Sequence, residues 1–357
     1  MDDPNTAPWA LHSVVGNYRK FVKNKTAKQK EDGVYRPRLR INERGREKSL
    51  QIEFSIPKLI YNNNLDEVCE KDFETIIQTL QTRLMDFAVM VSPTALRNAS
   101  VSVFHPSKNI LLSDGYTAQG VIKELQKSNL TKRMDLDKSN YRNVGESMQC
   151  YTASHSLVIY DKVPDLKKPS KRAIDKEQTV VQGFLFNQLS GLQKQAEILR
   201  VEVRITNKRK MNTLLPKHGF PKQPSFQDIF KEDLCMTLVY AYWNDLIVQP
   251  NLFLFSLANK PKQMLKNLIQ AYPKIKPKEI VHLIGLDVLA KDEDGIRELR
   301  GYLEKQGSER TWYRMTKNMQ KLNKAQNPLY CHTWVKQAEN QIKNYKPLKI
   351  SDLICKE

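Results

Sequence analysis

The run Leu199-Arg200-Val201-Glu202-Val203-Arg204-Ile205 alternates apolar and charged residues. A strand has a period of two, so Leu199, Val201, Val203 and Ile205 are expected on a buried face and Arg200, Glu202 and Arg204 on the other. Two guanidiniums flanking one carboxylate can hold a phosphate diester and a divalent cation side by side. They can equally form a surface ladder whose charges satisfy one another. Leu157-Val158-Ile159-Tyr160-Asp161-Lys162 follows the same logic, with Leu157 and Ile159 inward and Val158, Tyr160 and Lys162 outward. If the two strands are neighbours, Tyr160 and Lys162 share a surface with Glu202 and the two arginines. A tyrosine hydroxyl beside a lysine and a metal can be ionised enough to attack phosphorus. The commonplace role of a strand tyrosine is a cross-strand aromatic contact.

Other residues could join this chemistry. His105 ends an expected strand in Phe104-His105-Pro106-Ser107-Lys108-Asn109, a place that leaves metal ligation open, although no second histidine stands two residues away. His155 is a weaker candidate near Tyr160, and Lys108 is a candidate DNA contact. Towards the C-terminus, Gly301 to Arg314 reads as helix, glycine turn, helix; the second helix carries Arg310, Arg314, Lys317 and Lys321, a spacing suited to a recognition helix in a major groove. No GxxxxGK[ST] phosphate loop occurs, so no built-in helicase motor is expected.

Composition points to a polyanionic partner. Among 357 residues, Lys plus Arg outnumber Asp plus Glu 58 to 39, for a net charge of +19. Hydrophobic residues make up 40%, enough to bury a core. Five cysteines are scattered with no C-x-x-C pair, which argues against a disulfide scaffold or zinc finger and fits a reducing cytoplasm. The Met1-Asp2-Asp3-Pro4 start lacks an apolar h-region, so no signal peptide is expected, and no apolar stretch is long enough to span a bilayer.

The positioning elements follow from periodicity. Residues 17–48 are dense in Lys and Arg with Tyr18, Phe21 and Tyr35 interleaved, and read as a basic, partly flexible arm over residues 1–48 that could track phosphates. Strands are expected at Leu50 to Ile56, Ser100 to His105, Leu157 to Lys162 and Leu199 to Ile205. Helices are expected at Lys71 to Val89, Thr117 to Lys127 and in part of Ser170 to Ala196. This order predicts an α+β fold, an antiparallel sheet with helices on one face and the other face open, with a ferredoxin-like core over residues 49–222. After Pro224, Ser225 and Asp228 form a capping box, and helices with short links predict an all-helical domain over residues 223–330, then a tail at 331–357.

Four blocks carry a family resemblance. Gln51 to Asn64, Ser156 to Lys162 with Asp165-Leu166, Leu199 to Arg204, and Arg310 to Arg314 resemble, in the same order, blocks of the filamentous-phage replication initiator endonucleases. The resemblance covers residues 35 to 325, and implies a rolling-circle initiator related to the HUH nickases. It implies Tyr160 as the nucleophile, forming a 5′-phosphotyrosine and freeing a 3′-OH. It implies Mg²⁺ or Mn²⁺ held by Glu202 and His105, with Glu53 completing the shell. Lys162 would then stabilise developing charge, and Arg200 and Arg204 would grip the strand. The two-histidine motif of typical HUH enzymes is missing, and Tyr151 and Tyr141 are alternative nucleophiles. The implied partners are origin DNA, as duplex and single strand, with a host helicase and polymerase, in the cytoplasm. The rival expectations are a non-catalytic DNA-binding regulator, a relaxase or transposase with the same tyrosine chemistry, and an RNA-binding module. The last is disfavoured because no run of exposed aromatics on adjacent strands is evident.

Overall fold

The computed structural model describes residues 7–127, 138–142, 147–166, 196–248, 260–291 and 333–354, together with isolated positions between 299 and 325. The architecture is α+β, with two antiparallel sheets and many helices.

The first sheet is a four-stranded meander of β1 (Trp9–Val15), β2 (Tyr18–Lys23), β3 (Arg38–Arg44) and β4 (Glu47–Glu53), hydrogen-bonded in sequence order. Two-residue loops join β1 to β2 and β3 to β4, and Gly16 (φ +56°) and Gly45 (φ +62°) open them. Positive φ is what tight hairpin turns demand and what a side chain resists. The segment expected as a flexible basic arm is therefore mostly paired sheet. Its cations alternate with apolar residues, as in Arg38-Leu39-Arg40-Ile41, so a strand with one cationic face reads by composition as a charge run. Leu39 is fully buried and packs, with Tyr35 and Leu59, against Ile76, Ile77, Leu80 and Leu84 of the Phe73–Met85 helix. The i, i+3, i+4 spacing of those residues makes that helix amphipathic.

The second sheet has five strands: β5 (Ser107–Leu111), β6 (Lys138–Arg142), β7 (Ser147–Tyr151), β8 (His155–Asp161) and β9 (Ile198–Ile205). Their order is β5-β9-β8-β7-β6, antiparallel throughout. Two expectations change here. The strand expected from Leu50 joins the other sheet as β4. The strand expected at Ser100 to His105 is reduced to isolated bridges, Ser100 with Ser225 and Phe104 with Ile205, and regular pairing begins only at Ser107. Pro106 has no N–H to give to a ladder, so it separates the bridge from the strand.

Helices cover one face of this sheet. Leu157, Ile159, Val201, Val203 and Met148 pack against Val121, Ile122 and Leu125, Met211 and Leu215, Leu238 and Tyr242, and Trp334 and Ile342. Trp243 and Trp334 meet edge to face with centroids 6.2 Å apart in the middle of that core. The core therefore does not divide at residue 223. The Glu232–Trp243 helix is apolar over most of its surface and is buried between the sheet and the Thr333–Asn344 helix, which lies in the expected tail. The Pro261–Ala271 and Pro277–Lys291 helices build a separate cluster of Met264, Leu268, Leu283 and Leu286 with Leu322 and Ala325. The Ser225–Asp228 capping box is present, but opens only the four-residue Phe226–Ile229 helix.

The free edge of β5 is closed by side chains. Gln341 accepts from the Leu111 N–H (2.9 Å) and donates to the Leu111 carbonyl (2.8 Å), Gln337 accepts from the Ser113 N–H, and Glu67 accepts from the Asn109 N–H. This removes the unpaired row that an edge strand presents to other chains. Among the described residues no helix is long and apolar enough to cross a membrane.

Candidate active site

Strands β8 and β9 are neighbours, and their register sets Tyr160 opposite Arg200, Val158 opposite Glu202 and Ser156 opposite Arg204. Because side chains alternate, these residues occupy the sheet face that the helical core does not use. On the other flank β5 sets Ser107 opposite Glu202 and Asn109 opposite Arg200.

Glu202 is the hub. Its Oε1 accepts from Arg204 Nε at 2.6 Å, and its Oε2 accepts from Arg200 Nε at 3.3 Å and from the Tyr160 hydroxyl at 3.2 Å. Arg200 is held in turn: it donates to Ser107 Oγ (2.7 Å), Asn109 Oδ1 (3.3 Å) and the Asn64 carbonyl (3.4 Å). Burial pushes the Glu202 carboxyl pKa up, but the guanidiniums of Arg204 and Arg200 and the charge of His105 outweigh it and hold the carboxyl well below the usual carboxylate range. Glu202 is therefore an anion embedded among cations.

This face is not open, as the sequence pattern suggested. Tyr160 is only 7% exposed and Glu202 5%. The chain after β4 lies across it: the Leu65 carbonyl accepts from Asn109 Nδ2 at 2.7 Å, and Leu65 packs with Leu166, Ile198 and Ile350. Besides the nearby Leu166, Leu65 comes from 95 residues before Tyr160 and Ile350 from 190 after it, and no local pattern announces them.

The other candidates are dispersed. Lys162 is not on the strand; it begins the Lys162–Leu166 helix, is buried, and has its ammonium 3.6 Å from Asp165 and 5.6 Å from the Tyr160 ring centroid. Its ammonium thus lies within cation–π range of the ring. His105 is exposed and acts on Glu202 through its charge. Glu53 sits on β4 in the other sheet, with Arg40 3.2 Å away. Lys108, expected at DNA, is buried in an ion pair with Glu67, its ammonium 5.9 Å from the Tyr345 ring centroid. His155 faces the helical core, with Nδ1 2.6 Å from the Tyr242 hydroxyl. Tyr151 is half-buried at the end of β7 opposite Ser156, and Tyr141 is in register with Met148 on β6. Arg314 and Lys317 occupy exposed helical positions, and Arg310 lies outside the described residues.

Ser107, Asn109 and the Asn64 carbonyl were not singled out from sequence. The only local signal is the period-two pair Ser107 and Asn109, which acquires meaning once β5 is known to pair with β9.

Among the described residues no group of three or more His, Cys, Asp or Glu side chains could hold a metal ion. Both Glu202 oxygens are engaged by guanidiniums, and Glu53 is committed to Arg40 on the other sheet. As arranged, these residues do not fit the Mg²⁺ or Mn²⁺ site that the resemblance implied. The arrangement instead offers two things. Arg200 and Arg204 carry donors for which an oxyanion could compete with Glu202, and the Tyr160 hydroxyl is already hydrogen-bonded to that carboxylate.

No protein-family model, curated protein or solved structure matches the chain. The likeness to the phage initiators therefore rests on the four sequence blocks alone.

Proposed function

We propose that the chain is a DNA nickase that starts rolling-circle replication, with Tyr160 as the nucleophile. The observation that carries this reading is the Tyr160 hydroxyl 3.2 Å from a buried carboxylate flanked by two arginines. A phosphodiester entering the row would compete with Glu202 for Arg200 and Arg204. As the guanidiniums turn to the phosphate, the carboxylate loses the cations that depress its basicity, and becomes able to take the Tyr160 proton. The tyrosine oxygen then bonds to phosphorus and the P–O3′ bond breaks. The 3′ oxygen takes up the proton that Glu202 received and leaves as a free hydroxyl, and the strand's 5′ phosphate stays on the tyrosine. In this reading the five-stranded sheet is the nicking core of an HUH-related fold. The basic helices beyond residue 260, with Arg314 and Lys317, bind origin DNA in the host cytoplasm, where helicase and polymerase are supplied by the host.

A second reading has a specific observation in its favour. Tyr160 and Glu202 are buried, and the carboxylate's charge is satisfied by Arg200 and Arg204, as in a structural ion cluster of a non-catalytic DNA-binding regulator. One assay separates the two. Full-length protein is incubated with labelled single-stranded and supercoiled origin DNA, with Mg²⁺ or Mn²⁺ and with chelator, and run on a denaturing gel. The nickase reading expects a covalent adduct that Tyr160→Phe abolishes while DNA binding persists. An adduct that survives this change moves the nucleophile to Tyr151 or Tyr141. Salt-sensitive binding with no adduct on a verified origin establishes the regulator.

A further inference from the structure

We propose that one face of the four-stranded meander is a platform for single-stranded DNA, distinct from the Tyr160 row. The inference rests on the reading that DNA is the partner, but not on any cleavage chemistry. Register defines the face. Tyr18 is opposite Arg44, Lys20 opposite Asn42 and Val22 opposite Arg40, and β3 and β4 continue the rows as Arg44 with Glu47, Asn42 with Ser49, Arg40 with Gln51 and Arg38 with Glu53. Alternation puts Tyr18, Lys20, Arg38, Arg40 and Arg44 on one surface, four cations and an aromatic ring against the carboxylates of Glu47 and Glu53. The opposite face is where Leu39 and Ile52 meet the apolar core.

The platform face is accessible. Arg44 is exposed, and Tyr18, Lys20, Arg38 and Arg40 are half-buried. At the distal end a shallow depression of about 470 Å³ is lined by Tyr18, Asn42, Arg44, Glu47, Lys48 and Ser49. The Tyr18 hydroxyl donates to Asn42 at 2.7 Å, which fixes its ring at that wall. Arg46 in the adjoining turn is exposed as well.

The chemistry favours a single strand. Arg38 and Arg40 stand about 6.8 Å apart along the strand and Arg44 about 13.6 Å beyond Arg40, past Asn42, so three guanidiniums line one edge of the face as bidentate phosphate donors, with Arg40 now paired with Glu53. An immobilised ring beside such a row offers a base something to stack on, the pairing of stacking surface and electrostatic track that single-strand binders use. Four strands spaced about 4.8 Å apart span roughly 14 Å. That is broader than the B-DNA major groove of about 12 Å, so this face lies poorly in a duplex.

The test uses full-length protein, fluorescein-labelled oligodeoxythymidylate and a hairpin duplex, with anisotropy read over a salt series. In Arg38→Gln/Arg40→Gln/Arg44→Gln, single-strand affinity should fall at least tenfold near 0.1 M salt, and the slope of log K against log salt should flatten by about 2, from three phosphates at ~0.7 each. Lys208→Gln/Lys217→Gln/Lys222→Gln, a triple neutralisation on exposed helical and loop positions outside both the platform and the basic helices beyond residue 260, should leave the slope unchanged. Equal losses in both triples would mean that only net charge matters and would overturn the platform. So would an unchanged slope in the arginine triple, or a loss confined to the duplex. If the arginine triple does not fold, Lys20→Gln/Arg44→Gln serves instead, with an expected slope change of about 1.4. The Tyr160 adduct is scored in parallel on labelled single-stranded origin DNA. Adduct with unchanged slopes refutes the platform and leaves the nickase standing; flattened slopes without adduct do the reverse.

Discussion

Replacing Glu202 by Gln preserves shape and removes one charge from a site where it is 5% exposed. Three donors then lose their anion: Arg204 Nε at 2.6 Å, Arg200 Nε at 3.3 Å and the Tyr160 hydroxyl at 3.2 Å. Removing one partner of a buried ion pair costs about 3–5 kcal/mol, because the other charge stays buried without compensation. Two features place this case at the lower end. The Arg204 side chain is 33% exposed and can turn to water, and Arg200 keeps Ser107, Asn109 and the Asn64 carbonyl. We therefore expect a loss of about 3 kcal/mol. In urea unfolding this lowers the midpoint with the slope unchanged. Trp243 and Trp334 lie in the core on the other side of the same sheet, so their fluorescence reports the unfolding of that sheet. Combined with Arg204→Met, the second change should cost at least about 1 kcal/mol less than it does alone, since the residues act as a unit. A loss below about 1 kcal/mol for Glu202→Gln, or strict additivity with Arg204→Met, would refute the claim that Glu202 organises the row.

Acid should weaken the fold for the same reason. Glu202 is held below its ordinary value of 4.5 in the folded chain, against burial, by Arg204, Arg200 and His105. A depressed carboxyl contributes stability fully above the unfolded pKa and loses it as pH falls towards the folded one. The thermal midpoint should thus be flat with respect to Glu202 from about pH 7 to pH 5 and decline below about pH 4.5, less steeply in Glu202→Gln. Asp72 and Asp228, both lowered as well, act in the same sense and keep the variant from becoming pH-independent. On the opposite face, Tyr242→Phe removes the hydroxyl 2.6 Å from His155 Nδ1 inside the core. It should cost about 1–3 kcal/mol in urea unfolding. It should leave covalent adduct formation at low temperature unchanged, because this pair faces away from Tyr160; loss of adduct in the folded variant would return His155 to the candidate site.

The two central strands were legible because burial on one face and charge on the other leave a period-two pattern that needs no knowledge of the fold. Leu199 to Ile205 and Leu157 to Asp161 are strands, and Tyr160, Arg200, Glu202 and Arg204 do share a face. The Phe73–Met85 helix and the Ser225 capping box were legible for the same reason: both are local. The meander was not, since charged residues on one face of each strand hid the alternation inside a basic composition. Lys108 shows the limit most sharply. A lysine in a polar stretch reads as a surface cation, yet Glu67, which buries it, arrives from the segment after β4. The amino-acid sequence by itself determined which residues of the two central strands alternate, and that Tyr160 could stand with Glu202 if their strands paired. Only the tertiary structure decided that they do pair, that Arg200 is anchored by Ser107, Asn109 and Asn64, and that the Asn64–Leu65 segment meets the sheet at Arg200 and Asn109. Periodicity is a property of neighbouring residues, whereas register and cover depend on chain segments that approach only when the whole core is buried.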